Sequence, residues 1–263
     1  MTALPVSVSM RRVAEFKPAL LQSSEHVLCP GCGHFVAWRT VLDVITELEL
    51  KPVLLAGHGC YTQLMVHTDL DSLQCLHGRA PAAATGVKRM LPDVPVITVQ
   101  GDGDMVTEGL HEILHAAARG EKITALLLNN GVFGDTGGHM TATTVTGQRT
   151  KNSLEGRDPD VHGHPIDIAR LLAQVDGAAY VARGAVNSPG MVEQTRRMVR
   201  RALGLVEGQD QESFHRLLCH VRRVSCLLRP LRYQRWSETV GQCAIIVGLV
   251  SLARHHRDWI RRC

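Results

Sequence analysis

Two short polar segments have the residue types and spacing to hold a charged phosphate group. Gly101-Asp102-Gly103 is followed, 25 residues later, by Asn129-Asn130. A diphosphate is held through a hard divalent cation, and Mg2+ takes oxygen ligands at octahedral geometry. Asp102 offers a carboxylate oxygen and Asn130 an amide oxygen, and a backbone carbonyl just beyond, at Val132, offers a third. Glycines on either side of Asp102 let the backbone approach phosphate oxygens. Taken singly, each segment reads as a turn, because Gly, Asp and Asn favour turns. Together, each ending an apolar strand around one helix, they point to a bound diphosphate.

Thiols form the second group. Of eight cysteines, Cys29, Cys32 and Cys60 lie in glycine-rich settings near the N-terminus. Thiolates are soft ligands suited to zinc or iron–sulfur clusters. A zinc ribbon needs a second Cys-x-x-Cys knuckle, and the sequence has none. A dithiol redox pair leaves Cys60 unexplained. Near the same loops, Gly57 and Gly59 permit close approach, and His77 with Arg79 can meet phosphate oxygens. His58 and His111, as single histidines, read as ordinary satisfied residues.

These groups need elements to place them. Val41, Val44, Ile45 and Leu48 recur at helical spacing after Cys29–His34, and Lys51-Pro52 ends that run. Val53–Ala56 is a short buried strand feeding Gly57–Cys60, and Ala80–Met90 reads as a helix. Val94–Gln100 is a strand ending at Gly101–Asp104; a helix follows, with Leu110, Ile113, Leu114 and Ala117 on one face. Lys122–Leu128 is the next strand and ends at Asn129-Asn130. This is a βαβ unit of a parallel sheet, whose ligands lie beyond the carboxyl ends of the strands. Gly131–Arg157 is too long for an ordinary connection and is a candidate functional loop. Pro165–Val175 and Ser188–Leu203 read as helices flanking a strand at Ala178–Ala182.

Asp102 and Asn130 together form the thiamine-diphosphate motif, and the surrounding text resembles the β subunits of 2-oxoacid:ferredoxin oxidoreductases. The resemblance is carried by Asn129–Thr141, by Cys-Pro-Gly-Cys-Gly-His at 29–34, by His-Gly-Arg-Ala-Pro at 77–81 and by Gly-Arg-Asp-Pro at 156–159. It runs from about residue 25 to about residue 205 and is most similar to the branched-chain, 2-oxoisovalerate, type. Asp135 stands where the family usually has an apolar residue, and His139 where it usually has Gln. The resemblance implies an α/β thiamine-diphosphate-binding fold, a parallel sheet with helices on both faces. It implies cofactor contacts at His58, Gly59, Cys60, Tyr61, His77, Gly101, Asp102, Gly103, Asp104, Asn130, Val132 and Thr136, and Mg2+ at Asp102, Asn130 and Val132. It assigns Cys29, Cys32 and Cys60 to a 4Fe–4S cluster; the family's fourth thiolate comes from a Cys-Pro near the C-terminus, where this sequence has none, and on spacing alone Cys219 is the first candidate and Cys226 the second.

The activity implied is CoA-dependent oxidative decarboxylation of a 2-oxoacid, with electrons passed to ferredoxin. Branched-chain substrates are favoured, with 2-oxoglutarate or pyruvate as alternatives. No residue of the chain is assigned as the catalytic base, a role the resemblance places on a pyrimidine-binding α subunit; a ferredoxin-like subunit completes the assembly. Two other classes stay open: a non-oxidative thiamine enzyme, which has no use for the three cysteines, and a degenerate cofactor-binding subunit without activity.

Three segments are expected: an arm at 1–25, the cofactor domain at 26–205, and an atypical tail at 206–263. Residues 210–263 hold ten arginines and no lysine. That switch suits an out-of-frame reading of GC-rich coding sequence, or a divergent tail that docks on a partner. A net charge of +4 and 4% aromatic residues give no nucleic-acid surface. The longest apolar run, Cys243–Ala253, is 11 residues, too short for a membrane span, and no signal peptide is recognised, so a cytoplasmic location is expected.

Overall fold

The computed structural model describes residues 20–22, 26, 28–206 and 244–248, of which 205, 206 and 244–248 by their backbone alone. Helix α1 (His34–Glu47) leads to strand β1 (Val53–Ala56), then α2 (Thr62–Val66), β2 (Ser72–Gln74), α3 (Ala80–Met90) and β3 (Val96–Gly101). A π-helical turn (Gly103–Glu108) runs into α4 (Leu110–Ala118) and then β4 (Thr124–Asn129). A small hairpin, β5 (Val132–Phe133) and β6 (His139–Met140), precedes α5 (Pro159–His162), α6 (Ile168–Leu172), β7 (Val181–Ala185) and α7 (Pro189–Val206). Strand β8 is Ala244–Gly248.

The main sheet has the order β2-β1-β3-β4-β8-β7, and its first four strands are parallel. Alternation along these strands divides the core. Leu54, Ile97, Val99, Leu126 and Leu128 pack on the face with Trp38, Val41 and Ile45 of α1 and Val199 and Leu203 of α7. Leu55, Val96, Ala125 and Leu127 pack on the other, with Ala84 of α3, Ile113 and Ala117 of α4, and Ile168 of α6. Near-continuous apolar strands covered on both faces are what a parallel α/β sheet requires. The expected sandwich is therefore present.

The sheet departs from a wholly parallel one at β8, which runs antiparallel to both β4 and β7. Its Ala-Ile-Ile-Val-Gly sequence is a short apolar run within the segment expected to be an atypical tail, where no strand is expected. Local boundaries differ too. The helix expected at Pro165–Val175 is confined to Ile168–Leu172, and the strand expected at Ala178–Ala182 lies at Val181–Ala185. The loop 131–157 contains the β5–β6 pair, with Val132 opposite Met140 and Phe133 opposite His139. Among the described residues no helix is long and apolar enough to cross a membrane.

Candidate functional site

The loops after β1, β3 and β4 surround a cavity of about 400 Å³. Most of the residues singled out on the cofactor side line it: His58–Tyr61, His77, Gly101–Asp104, Asn130, Val132 and Thr136. Gly57, Arg79 and Asn129 do not: Arg79, expected to meet phosphate oxygens, pairs instead with Glu112 and lies 2.8 Å from His111 Nε2. Because β1, β3 and β4 are adjacent and parallel, their carboxyl ends bring segments far apart in sequence to one edge.

Asp102 sits at the end of β3 with 1% of its surface exposed. Its Oδ2 accepts hydrogen bonds from Thr141 Oγ1 at 2.6 Å and Thr143 Oγ1 at 2.8 Å, and its Oδ1 accepts one from the Asn130 N–H at 3.3 Å. Burial pushes the carboxyl up from its ordinary range, while the two hydroxyls and the Asn130 amide pull it back. Asn130 Oδ1 accepts from the Val132 N–H at 3.2 Å, which fixes its orientation and leaves one lone pair. Next to it, Asn129 Oδ1 accepts from Gly131 N–H and Thr143 Oγ1.

Asp104, two residues on, also lines the cavity and joins its loops. Its Oδ1 accepts from the Gly78 N–H at 2.7 Å and lies 3.2 Å from His77 Nδ1; its Oδ2 accepts from Tyr61 Oη at 2.9 Å and Gln100 Nε2 at 2.6 Å. The carboxylate thus ties the loops after β1 and β2 to β3. A side chain on Gly57 would strike it, since a Cβ there would stand 1.8 Å from Asp104 Oδ2. Tyr61 is itself buried, and its hydroxyl is pushed well above its ordinary value by burial and by the Asp104 charge. Gly103, expected to admit phosphate, has a nearer reason to be glycine: a Cβ would stand 2.3 Å from the Phe133 ring.

His58 Nδ1 lies 2.7 Å from Gln74 Nε2, and the His58 and His77 rings meet edge to face at 5.0 Å. His77 also lies 3.4 Å from Glu108 of the π-helical turn. Thr136 and His139 face each other at 3.2 Å on the exposed side of the hairpin.

The three thiols are free, Cys29 exposed and Cys32 and Cys60 half-buried. Burial, with the charges of Cys32, Asp135 and Cys29, pushes the Cys60 thiol up to about 11, so the thiols stand within electrostatic reach of one another. Cys60 Sγ lies 3.8 Å from Nδ1 of His34, which burial holds in its neutral form at about 4. The three nevertheless are not drawn into a closed set: among the described residues no group of three or more His, Cys, Asp or Glu is placed to hold a metal ion. Cys219 lies outside the described residues.

Sequence reasoning gave no role to Thr141, Thr143, His34 or Arg157. Only the repeated threonines following Asn129–Asn130 in the chain hinted at hydroxyl donors; their partner stands 39 and 41 residues back, so nothing local identifies it.

A doubly covered parallel sheet carrying this acid and amide on neighbouring strand ends defines a thiamine-diphosphate-binding domain. Residues 57–214 match the family described as thiamine pyrophosphate enzyme, C-terminal TPP binding domain. Ketoisovalerate oxidoreductase subunit VorA of Methanothermobacter thermautotrophicus is 36% identical over 197 residues, 74% of this chain and 41% of that protein. The 2-oxoglutarate synthase subunit KorB of Methanocaldococcus jannaschii is 33% identical over 239 residues, 90% of this chain and 76% of that protein. In fold the chain matches a solved 2-oxoglutarate:ferredoxin oxidoreductase from Magnetococcus marinus, with 2-oxoglutarate, coenzyme A and succinyl-CoA bound, at a TM-score of 0.61 and 25% identity, covering 73% of this chain and 65% of that one. The chain belongs to the thiamine-diphosphate-binding subunits of the 2-oxoacid:ferredoxin oxidoreductase family. It spans about two fifths of the length of the VorA relatives. The KorB match is too long to fit within residues 1–205, so likeness to the family continues past the point where the sequence alone shows it.

Proposed function

We propose that this chain is the β subunit of a CoA-dependent 2-oxoacid:ferredoxin oxidoreductase, binding thiamine diphosphate through Mg2+ and carrying a 4Fe–4S cluster. The observation that supports the reading best is the closeness of its two chemical groups. A Cβ on Gly134 would lie 3.5 Å from Cys60 Sγ and 3.7 Å from Asn130 Nδ2, so the thiol and the amide flank one glycine of the same cavity.

In the chemistry of their donor atoms the residues suit the groups they would hold. Asp102 is a buried carboxylate whose donors are two hydroxyls and an amide, all neutral, and a divalent cation at its rim would offset the cost of its charge. Asp102 and Asn130 supply hard oxygen ligands, with the Val132 carbonyl as a third, and Cys29, Cys32 and Cys60 supply soft ones, with Cys219 as a candidate fourth. When bound, the cofactor supplies a nucleophilic carbon and an electron sink for decarboxylation, and the cluster accepts single electrons. The chain's own work is placement. Asp102 and Asn130 anchor the diphosphate end, Asp104 and Tyr61 keep the loops after β1 and β2 in register with it, and Cys60 holds the acceptor beside it. No residue here is assigned as base; a pyrimidine-binding subunit supplies it, and a ferredoxin-like subunit carries the electrons on to ferredoxin.

We favour a branched-chain 2-oxoacid as substrate. The similarity to both ketoisovalerate and 2-oxoglutarate oxidoreductase subunits supports 2-oxoglutarate as a second reading. An anaerobic assay of the chain co-expressed with its partner subunits, using 2-oxoisovalerate, 2-oxoglutarate and pyruvate with CoA and ferredoxin, separates them. Preference for 2-oxoisovalerate is expected; equal rates with all three would sink it. Iron and acid-labile sulfide analysis of the same preparation is expected to find four irons in this chain, and none would leave a cofactor-binding scaffold without electron transfer.

A further inference from the structure

Arg157 is a cation with only 6% of its surface exposed, and its guanidinium is directed at backbone carbonyls on two separate segments. Nη1 donates to the carbonyls of Thr141, Ala142 and Thr144 at 3.1, 3.2 and 2.8 Å. Nη2 donates to those of His162 and His164 at 3.3 and 3.1 Å, and Nε to that of Gly163 at 2.8 Å. The first segment is the turn whose Thr141 and Thr143 hydroxyls hold Asp102 Oδ2. The same turn reaches the second half of the motif, because Thr144 Oγ1 donates to the Gly131 carbonyl at 2.6 Å and Thr143 Oγ1 to Asn129 Oδ1 at 3.1 Å.

We infer that Arg157 is a positioning residue for the Mg2+–diphosphate site. It gathers the carbonyls of the 141–144 turn on one side and those of 162–164 on the other, and so fixes the two hydroxyls that orient Asp102. The planar fork of a guanidinium can span two diverging sets of carbonyls; an ammonium, a point charge with three donors, cannot. Outer groups that orient a metal-binding carboxylate commonly set metal affinity by a factor of about 10–100. The inference rests on the cofactor reading above.

The test is a calorimetric titration of the full chain, co-purified with its partner subunits, with thiamine diphosphate at a series of Mg2+ concentrations. Arg157→Lys is expected to raise the Mg2+ concentration for half-saturation by roughly tenfold or more. Thr141→Val with Thr143→Val is expected to do the same, and adding Arg157→Lys to that pair should change little, because the arginine acts through those hydroxyls. Unchanged Mg2+ dependence in Arg157→Lys, or losses that multiply in the combined variant, overturns the inference alone. A parent complex that takes up no thiamine diphosphate with Mg2+ overturns the cofactor reading and the inference with it. Should Arg157→Lys not fold, Thr107→Val loosens the same turn from outside, since Thr107 Oγ1 accepts the Ala142 N–H at 2.9 Å. A smaller rise in the same direction is then expected, and no rise overturns the proposal.

Discussion

Tyr61 Oη donates to Asp104 Oδ2 across 2.9 Å, joining residues 43 positions apart in the chain, and both are almost wholly buried. The bond matters because a buried carboxylate is costly unless its lone pairs are filled. Removing the hydroxyl in Tyr61→Phe leaves Asp104 one donor short without changing the packing of the ring. A loss of about 1–3 kcal/mol is expected, read as a lower denaturation midpoint with the slope unchanged. A midpoint equal to that of the parent chain would show that the remaining donors suffice.

Gly103 and Phe133 support a prediction about the cavity itself. In Gly103→Ala the new methyl meets the ring at 2.3 Å, and the ring, unlike backbone, can swing aside. Overpacking of this kind costs about 1–3 kcal/mol. Since Phe133 lines the cavity, its displacement is expected to weaken thiamine diphosphate binding by about 10–100-fold while the chain stays folded. Adding Phe133→Leu should restore most of the affinity. Calorimetry on the two variants checks this, and a Phe133→Leu that fails to rescue would place the damage in the backbone of the β3 end.

What the sequence made legible here was local. β1, β3 and β4 are apolar runs closed by Gly or Asn, so strand and loop could be read together, and with them the cavity edge. β2 could not, because Ser72–Gln74 is three exposed residues with no pattern. β8, Ala-Ile-Ile-Val-Gly, is an apolar run closed by Gly like the others, but the arginine-rich sequence around it has no pattern of helix and strand to set it in a sheet. The site was legible in its ligands and not in their supports. Asp102 and Asn130 announce themselves by type, whereas Thr141, Thr143 and Arg157 act across distances in sequence that periodicity does not span. Asp104 shows the same limit: the resemblance implies a cofactor contact there, and nothing local in the sequence signals that its oxygens also accept from Tyr61, Gln100 and Gly78 and lie beside His77.

Asp43, on α1 away from the cavity, offers a test of pH dependence. Its Oδ1 is buried and has no hydrogen-bond partner among the described residues. Burial raises its carboxyl above 3.8, and Arg39 and Arg196 offset this only in part. The folded state therefore holds this proton more tightly than the unfolded chain, so stability is lost as pH rises from 3.8 through the folded value. At neutral pH the carboxylate is a net cost. Asp43→Asn should raise Tm at pH 7 by about 1–2 °C, a modest gain because the group is partly solvated. The gain should shrink towards pH 4, and a gain independent of pH would mean that ionisation is not its source.

The cysteines make the last prediction, because among the described residues their surroundings separate Cys60, at the cavity, from Cys75. Cys60 lines the cavity and stands in reach of Cys32 and Cys29, whereas Cys75 follows β2 and packs against the α3–α4 side of the sheet. If a cluster is held by the first three, Cys60→Ser removes a soft ligand and replaces it with a hydroxyl that binds iron poorly. Anaerobically purified Cys60→Ser is expected to lose most of its iron and sulfide, along with the visible absorbance of the cluster, while Cys75→Ser keeps both. Thiamine diphosphate binding should survive in Cys60→Ser, because Asp102 and Asn130 are untouched. Iron retained in Cys60→Ser would remove that thiol from the ligand set. Joint loss of iron and thiamine diphosphate binding would instead show that the thiol also supports the loop after β1.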